Sequence, residues 1–276
     1  RYPTTQQAIE WMHCSGKPVL GWGLGVPSVG GILSGLRNRS RQKFLMSMDG
    51  VIAYSQRGVA EYLAAGFPRE RVFVALNATA HKPSDSLPEH KLSSDSRPTV
   101  LFVGRLQARK RIDLLIEACA ALPEELKPHL IVVGDGPVRI ELENLAVRIY
   151  PQTRFLGALF GPDLERIFKK ADLFVLPGTG GLAVQQAMSF GLPVIVAQGD
   201  GTQDDLVRIE NGWQIPPDDL PALSHVIQEA LSDVERLRRM GAESYRIVKD
   251  EVNLEQMAAS FVNAINGVVA YTGSQS

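Results

Sequence analysis

The sequence is most informative first through what it has little of. Only two cysteines, Cys14 and Cys119, occur in 276 residues, in unrelated contexts and without metal-ligand spacing. Two isolated thiols in a chain of this length point to a reducing compartment. The five histidines, His13, His81, His90, His129 and His225, also lack the spacing of a metal site. No apolar run reaches the roughly 18 residues that a membrane-crossing helix needs. Neither GxxxxGK[ST] nor GxGxxG is present, which argues against a P-loop enzyme and an ordinary dinucleotide dehydrogenase, and GxSxG is absent as well. The formal net charge of −1 argues against a dedicated nucleic-acid binder. There is no initial Met and no signal-peptide pattern, and residues 6–11 already read as helix, so a mature, processed or truncated start is expected.

What is present is the composition of a soluble globular protein, 45% hydrophobic and 21% charged, with length for about two domains. Charge is unevenly divided. Residues 1–83 hold ten Lys/Arg and four Asp/Glu, and the remainder is net negative. Arg37, Arg39, Arg41 and Lys43 supply much of the excess. They read either as a solvated helix face or as a site for an anionic surface or acceptor. A Ser/Pro-rich stretch at 83–98 reads as a linker. Short apolar runs alternate with helical periodicity on both sides of it, and strands buried on both faces imply parallel, helix-covered sheets. The expected division is an N-terminal unit at 1–82, the linker at 83–98, a larger α/β unit at 99–255, and a C-terminal helix and tail at 256–276. The first unit shows only about three strands and reads as incomplete.

In open α/β sheets ligands sit at the carboxyl ends of strands, so the loops after the strands carry the argument. After Val103 the chain runs Gly104-Arg105-Leu106-Gln107-Ala108-Arg109-Lys110-Arg111, four cations leading into a helix. Such a loop suits a phosphate, with Arg as a planar fork and Lys as a point charge, or is simply a solvated basic loop. After Leu176 comes Pro177-Gly178-Thr179-Gly180-Gly181-Leu182, where glycines allow close backbone approach to a ligand, or make a tight turn. Two anion-suited loops in one sheet could grip one diphosphate together. Gly134-Asp135-Gly136-Pro137 reads as a structural turn and helix start. The acids in Gly199–Asp205 either cap a helix or bind a metal, and their spacing matches no specific metal site.

The blocks VGRLQARKRIDLLIEA, VVGDGPVRIELENLA, RFLGALFGPDLERIFKKADLFVLPG, AVQQAMSFGLPVIVA and ENGWQIPPDD, in this order, resemble the C-terminal domain of family 4 (group 1) glycosyltransferases. The segment DGVIAYSQRGVAEYLAAGFPRERVFVALNAT resembles the end of that family's N-terminal domain. GWGLG resembles a WGHG-like loop of some relatives, with Leu24 in place of His. The resemblance implies a GT-B-like α/β chain of two Rossmann-type units. It also implies transfer of a sugar from a nucleotide sugar, UDP- or GDP-linked, to a glycan, lipid or other hydroxyl acceptor, with retention and without a required metal or cofactor. By that match Gly104, Arg105 and Lys110 would hold the donor diphosphate, with Arg109 counting for less. Gly180, Gly181 and Leu182 would give it backbone N–H groups, and Gly157 and Ala158 would line the base. Where the family carries Glu, seven residues and Glu, this chain has Gly178 and Gln186. Gln186 could still hydrogen-bond a ribose hydroxyl, but neither position offers a base, and the catalytic residue is left unassigned. A non-catalytic nucleotide- or glycan-binding relative and a sugar-nucleotide epimerase of related fold are the alternatives. A cytoplasmic protein is expected, at most peripheral at a membrane through the cations of residues 37–43.

Overall fold

A computed structural model of the chain describes residues 3–26, 34–84, 86–88, 97–199 and 201–273. It divides into two compact units, Arg1–Asn77 with Leu254–Ser276, and Ala78–Asn253.

The smaller unit begins with helix α1 (Pro3–Cys14) and strand β1 (Leu20–Gly23). Helix α2 (Ser34–Met46), strand β2 (Gly50–Ala53), helix α3 (Gln56–Ala64) and strand β3 (Val72–Val74) follow. The three strands form a parallel sheet in the order β1-β2-β3. The two-residue period of β2 divides the core. Val51 and Ala53 face a cluster with Leu45, Val59, Tyr62, Phe67 and Val72. Ile52 faces the other way, to Ala75 and Ala264, with Phe73, Met257 and Phe261 packed around them. Met257, Phe261 and Ala264 lie on one face of the C-terminal helix Leu254–Gly273. The sequence expectation of a separate C-terminal helix and tail at 256–276 thus differs from the structure, where the helix belongs to the smaller unit. Ser55 starts α3, its Oγ accepting from the Gly58 N–H at 3.0 Å.

The larger unit runs β4 (Thr99–Val103), a 3₁₀ turn (Ala108–Lys110), α4 (Ile112–Ala121), β5 (His129–Val133) and α5 (Arg139–Ile149). It continues through β6 (Arg154–Gly157), α6 (Gly161–Phe168), β7 (Leu173–Leu176), α7 (Ala183–Ser189), β8 (Val194–Ala197) and β9 (Gly212–Ile215). It ends with α8 (Leu220–Leu231) and α9 (Val234–Asp250). Its six strands are all parallel, in the order β6-β5-β4-β7-β8-β9. Central strands such as β7 and β8 are buried at every residue, which is why they read as unbroken apolar runs rather than alternating ones. Each fully buried Leu, Ile, Val or Phe there contributes roughly 1.5–3 kcal/mol. Helix α4 packs against α5 and α8, and α7 packs against α9. Asp219 and Asp233 cap α8 and α9, each accepting a backbone N–H at 2.8 Å. Asp172, buried at the head of β7, accepts from the Thr99 N–H at 2.8 Å and from Arg238 at 2.7 Å, tying β4, β7 and α9 together.

Counted within this unit, the strand order is 3-2-1-4-5-6, so the direction of winding reverses between β4 and β7. That reversal is the topological switch point of a doubly wound sheet, where such folds bind ligands. The two loops that flank it, after β4 and after β7, are the two that the sequence marked as suited to an anion.

Candidate functional site

The structure sorts the four cations of the loop after β4 into different roles. Arg105 is exposed and meets no hydrogen-bonding partner among the described residues. Arg109 donates from Nη1 to the Thr179 carbonyl at 3.0 Å, braced by Gln107 at 3.0 Å. Lys110 is 6% exposed, and its ammonium donates to the Thr179 carbonyl at 2.9 Å and to that of Gly180. Arg111 is committed to Asp113, at 3.1 Å, and Asp218. It joins the 3₁₀ turn to α4 with a left-handed backbone, φ 52°. The Arg109 guanidinium, which the family match counts for less, reaches the same carbonyl as Lys110. Four cations in a row carry no sign of which will turn inward.

Burial, reinforced by the neighbouring Arg109 charge, lowers Lys110 to about 8. The two carbonyls solvate the ammonium that remains. They also orient the glycine loop. In a trans peptide the C=O and the following N–H point in opposite directions, so turning the Thr179 and Gly180 carbonyls to Lys110 turns the Gly180 and Gly181 N–H groups away from it. Those N–H groups and that of Leu182 have no acceptor among the described residues. Gly180, at φ 67°, makes the turn possible.

Gly178 is fixed by space rather than by dihedral. A Cβ there would lie 2.2 Å from the Arg109 carbonyl oxygen and 2.6 Å from the Lys110 Cα. The backbones of the two loops touch at this point, and the Thr179 N–H donates to the Arg109 carbonyl at 3.0 Å. Gly134 does the same on the other side, where an added Cβ would fall 1.8 Å from the Gly104 carbonyl oxygen. Gly104, Leu106, Gly134 and Gly136 are thus a backbone-on-backbone junction, in line with the structural reading of the Gly134–Pro137 turn. Gly157 ends β6 at φ 71°, its carbonyl accepting from the Gly134 N–H at 2.7 Å. Ala158 beyond it is exposed. Phe160, at the start of α6, is 79% exposed and gives this edge an aromatic face that the sequence reading passed over.

Gln186 lies one turn beyond Leu182 in α7, its N–H donating to the Leu182 carbonyl at 3.4 Å. It opens on a cavity of about 480 Å³ with residues of the 79–88 segment, Lys169, Phe190 and Tyr245, and none of Arg105, Lys110 or Gly180–Leu182 lines it. The neighbouring Gln185 is 2% exposed, and both the oxygen and the nitrogen of its amide are hydrogen-bonded. Asp200 and the side chain of Arg37 lie outside the described residues. Among the described residues no group of three or more His, Cys, Asp or Glu is placed to hold a metal, and no helix is long and apolar enough to cross a membrane. In α2, Arg39 and Lys43 are exposed, and Arg41 lines a cavity with Gln42 and Glu61.

Comparison with known proteins fits this geometry. The model of the family described as glycosyl transferases group 1 matches residues 84–247, more than half of the chain. The chain belongs to the group 1 glycosyl transferases. Among relatives, it is 29% identical over 179 residues to an uncharacterised glycosyltransferase of Methanocaldococcus jannaschii, covering 59% of this chain and 46% of that protein. It is 34% identical over 169 residues to the GDP-mannose-dependent alpha-mannosyltransferase of Mycolicibacterium smegmatis, covering 58% and 43%. The chain therefore spans less than half the length of these two relatives. Its fold is similar to that of Anabaena HepE, whose crystal structure is in complex with UDP, at a TM-score of 0.74 and 20% identity, covering 94% of this chain and 75% of that one. The chain is thus a group 1 glycosyl transferase of GT-B-like α/β fold, as its motifs imply.

Proposed function

We propose that the chain transfers a sugar from a nucleotide-diphosphate sugar to a hydroxyl of a glycan or lipid-linked acceptor, with retention at the sugar and without a metal. The observation that carries this reading is the pairing of two loops at the switch point of the larger sheet. One presents Arg105 and the other three N–H groups without an acceptor among the described residues, and Lys110 braces them. The diphosphate would take the Arg105 guanidinium, the N–H groups of Gly180, Gly181 and Leu182, and the third N–H of the Lys110 ammonium, whose other two are used on carbonyls. As the bond from the sugar to the β-phosphate oxygen breaks, charge grows on the diphosphate. Donors already fixed in place stabilise that charge more than they stabilise the bound donor. These cations supply the positive charge there, so the proposal needs no metal or other cofactor.

Gly157 and Ala158 would line the base, with the Phe160 ring beside them. The relatives support either of two donors, since one is named for GDP-mannose and one structure holds UDP. Retention rests on the family resemblance, and a glycan or lipid acceptor on the same ground. If the acceptor is lipid-linked, the exposed Arg39 and Lys43 of α2 are the surface to meet an anionic headgroup.

A second reading, a nucleotide binder without turnover, is favoured by one observation. Gly178 stands where the family has Glu, and the space for a side chain is filled by backbone. One experiment separates the two. A thermal-shift panel of UDP, GDP, ADP and their sugars should single out one base, because a ligand at 100 times its Kd adds about 2.7 kcal/mol. The matching nucleotide sugar is then followed for donor consumption with saccharide and lipid acceptors. Consumption with a glycosylated product supports transfer, binding without consumption supports the second reading, and no stabilisation by any nucleotide contradicts both.

A further inference from the structure

Gln185 sits in the first turn of α7, three residues beyond Leu182, and its buried amide is divided between two distant stretches of chain. Its Oε1 accepts from the Thr79 N–H at 2.5 Å and the Ala80 N–H at 3.0 Å. Its Nε2 donates to the Val252 carbonyl at 2.7 Å. Thr79 and Ala80 are the second and third residues after the chain enters the larger unit at Ala78, and Val252 lies two residues before it leaves at Leu254. The Thr79 hydroxyl also reaches the Gln185 oxygen at 3.3 Å and the Leu182 carbonyl at 3.4 Å. One side chain thus satisfies backbone groups at both places where the chain passes between the units.

We propose that Gln185 is a positioning residue that fixes the entry and the exit of the larger unit to the start of α7, so that both follow the glycine loop. Only a side chain with an acceptor and a donor at its end can serve both. Oε1 holds the two N–H groups of the entry, and Nε2 holds the carbonyl of the exit. Ionised glutamate, with acceptors and no donor, keeps the first set and loses the second. Methionine, of similar length and volume, loses both. Leaving the buried Val252 carbonyl and the part-buried Thr79 and Ala80 N–H groups unpaired is costly, so the loss should appear as local opening of those segments. Coupling of the loop to a bound diphosphate rests on the donor-site reading above, whereas the anchoring does not.

The test is amide hydrogen exchange on the full chain as wild type, Gln185→Met and Gln185→Glu. Without ligand, Gln185→Met should exchange about tenfold faster at Thr79 and Ala80 and at residues 252–254, while strands β4 and β7 keep their protection. Gln185→Glu should keep Thr79 and Ala80 protected and loosen only 252–254, a split that a general packing defect would not give. Unchanged exchange at 252–254 in Gln185→Glu overturns the proposal, which keeps it decidable if the methionine variant does not fold. Unchanged exchange at Thr79 and Ala80 in Gln185→Met, or equal loosening of β4 and β7, also overturns it. With the nucleoside diphosphate selected by thermal shift, wild type should gain protection at Thr79 and Ala80 and Gln185→Met should not. If no nucleotide binds, the donor-site reading fails, and the ligand-free comparison still decides the anchor.

Discussion

Lys110 shows how much of the candidate site depends on one side chain. It is buried, it orients the peptide groups of Thr179 and Gly180, and it titrates near 8 instead of its ordinary 10.5. Two opposite consequences follow. Between about pH 8 and 10.5 the unfolded chain keeps a proton on this lysine that the folded chain has released, so the group makes stability rise with pH across that window. In the proposed donor site a diphosphate would take a hydrogen bond from the ammonium, so affinity should fall as pH passes 8. A group with a pKa of about 8 is only about one-tenth protonated at pH 9, which sets the expected loss between pH 7 and pH 9 at about tenfold. Calorimetric titration of a nucleoside diphosphate at the two pH values checks this. Lys110→Arg, charged at both, should flatten the profile, and an equally flat wild-type profile would show that Lys110 does not face the phosphate.

At the scale of elements, the meeting of the β4 and β7 loops is what the sequence could not display. The strands were legible because burial on both faces writes them as continuous apolar runs, and Thr99–Val103, His129–Val133 and Leu173–Leu176 coincide with β4, β5 and β7. Glycine clusters marked the loops. That Gly178 is packed on the backbone of Arg109 and Lys110 depends on a sheet order that no local pattern carries. The same is true of Gln185, whose partners lie 105 and 67 residues away, and of the C-terminal helix, which the sequence marks as a helix without showing the sheet it packs on. The contact at Gly178 carries its own prediction. Gly178→Ala should lower stability by about 1–3 kcal/mol, because the added carbon meets backbone rather than a movable side chain. Gly178→Glu, which restores the residue type usual in the family, should destabilise at least as much and give no gain in donor turnover. Urea unfolding of both variants checks the point, and a Gly178→Glu chain as stable as wild type would show that the loops can part without cost.

For the molecule as a whole, every residue of the proposed donor site falls within Ala78–Asn253, and group 1 membership rests on nearly the same residues, 84–247. Most of the positive excess of residues 1–83 lies before that stretch. The central claim is that Arg105, Lys110 and the Gly180–Leu182 N–H groups hold a nucleoside diphosphate. It is tested most directly by calorimetric titration of the nucleotide selected by thermal shift into wild type, Arg105→Ala and Lys110→Ala at pH 7. A charge-assisted hydrogen bond is worth about 1.5–3 kcal/mol, so each variant should bind about 10- to 150-fold more weakly while remaining folded. Equal affinity in all three proteins would contradict the account and place the nucleotide elsewhere.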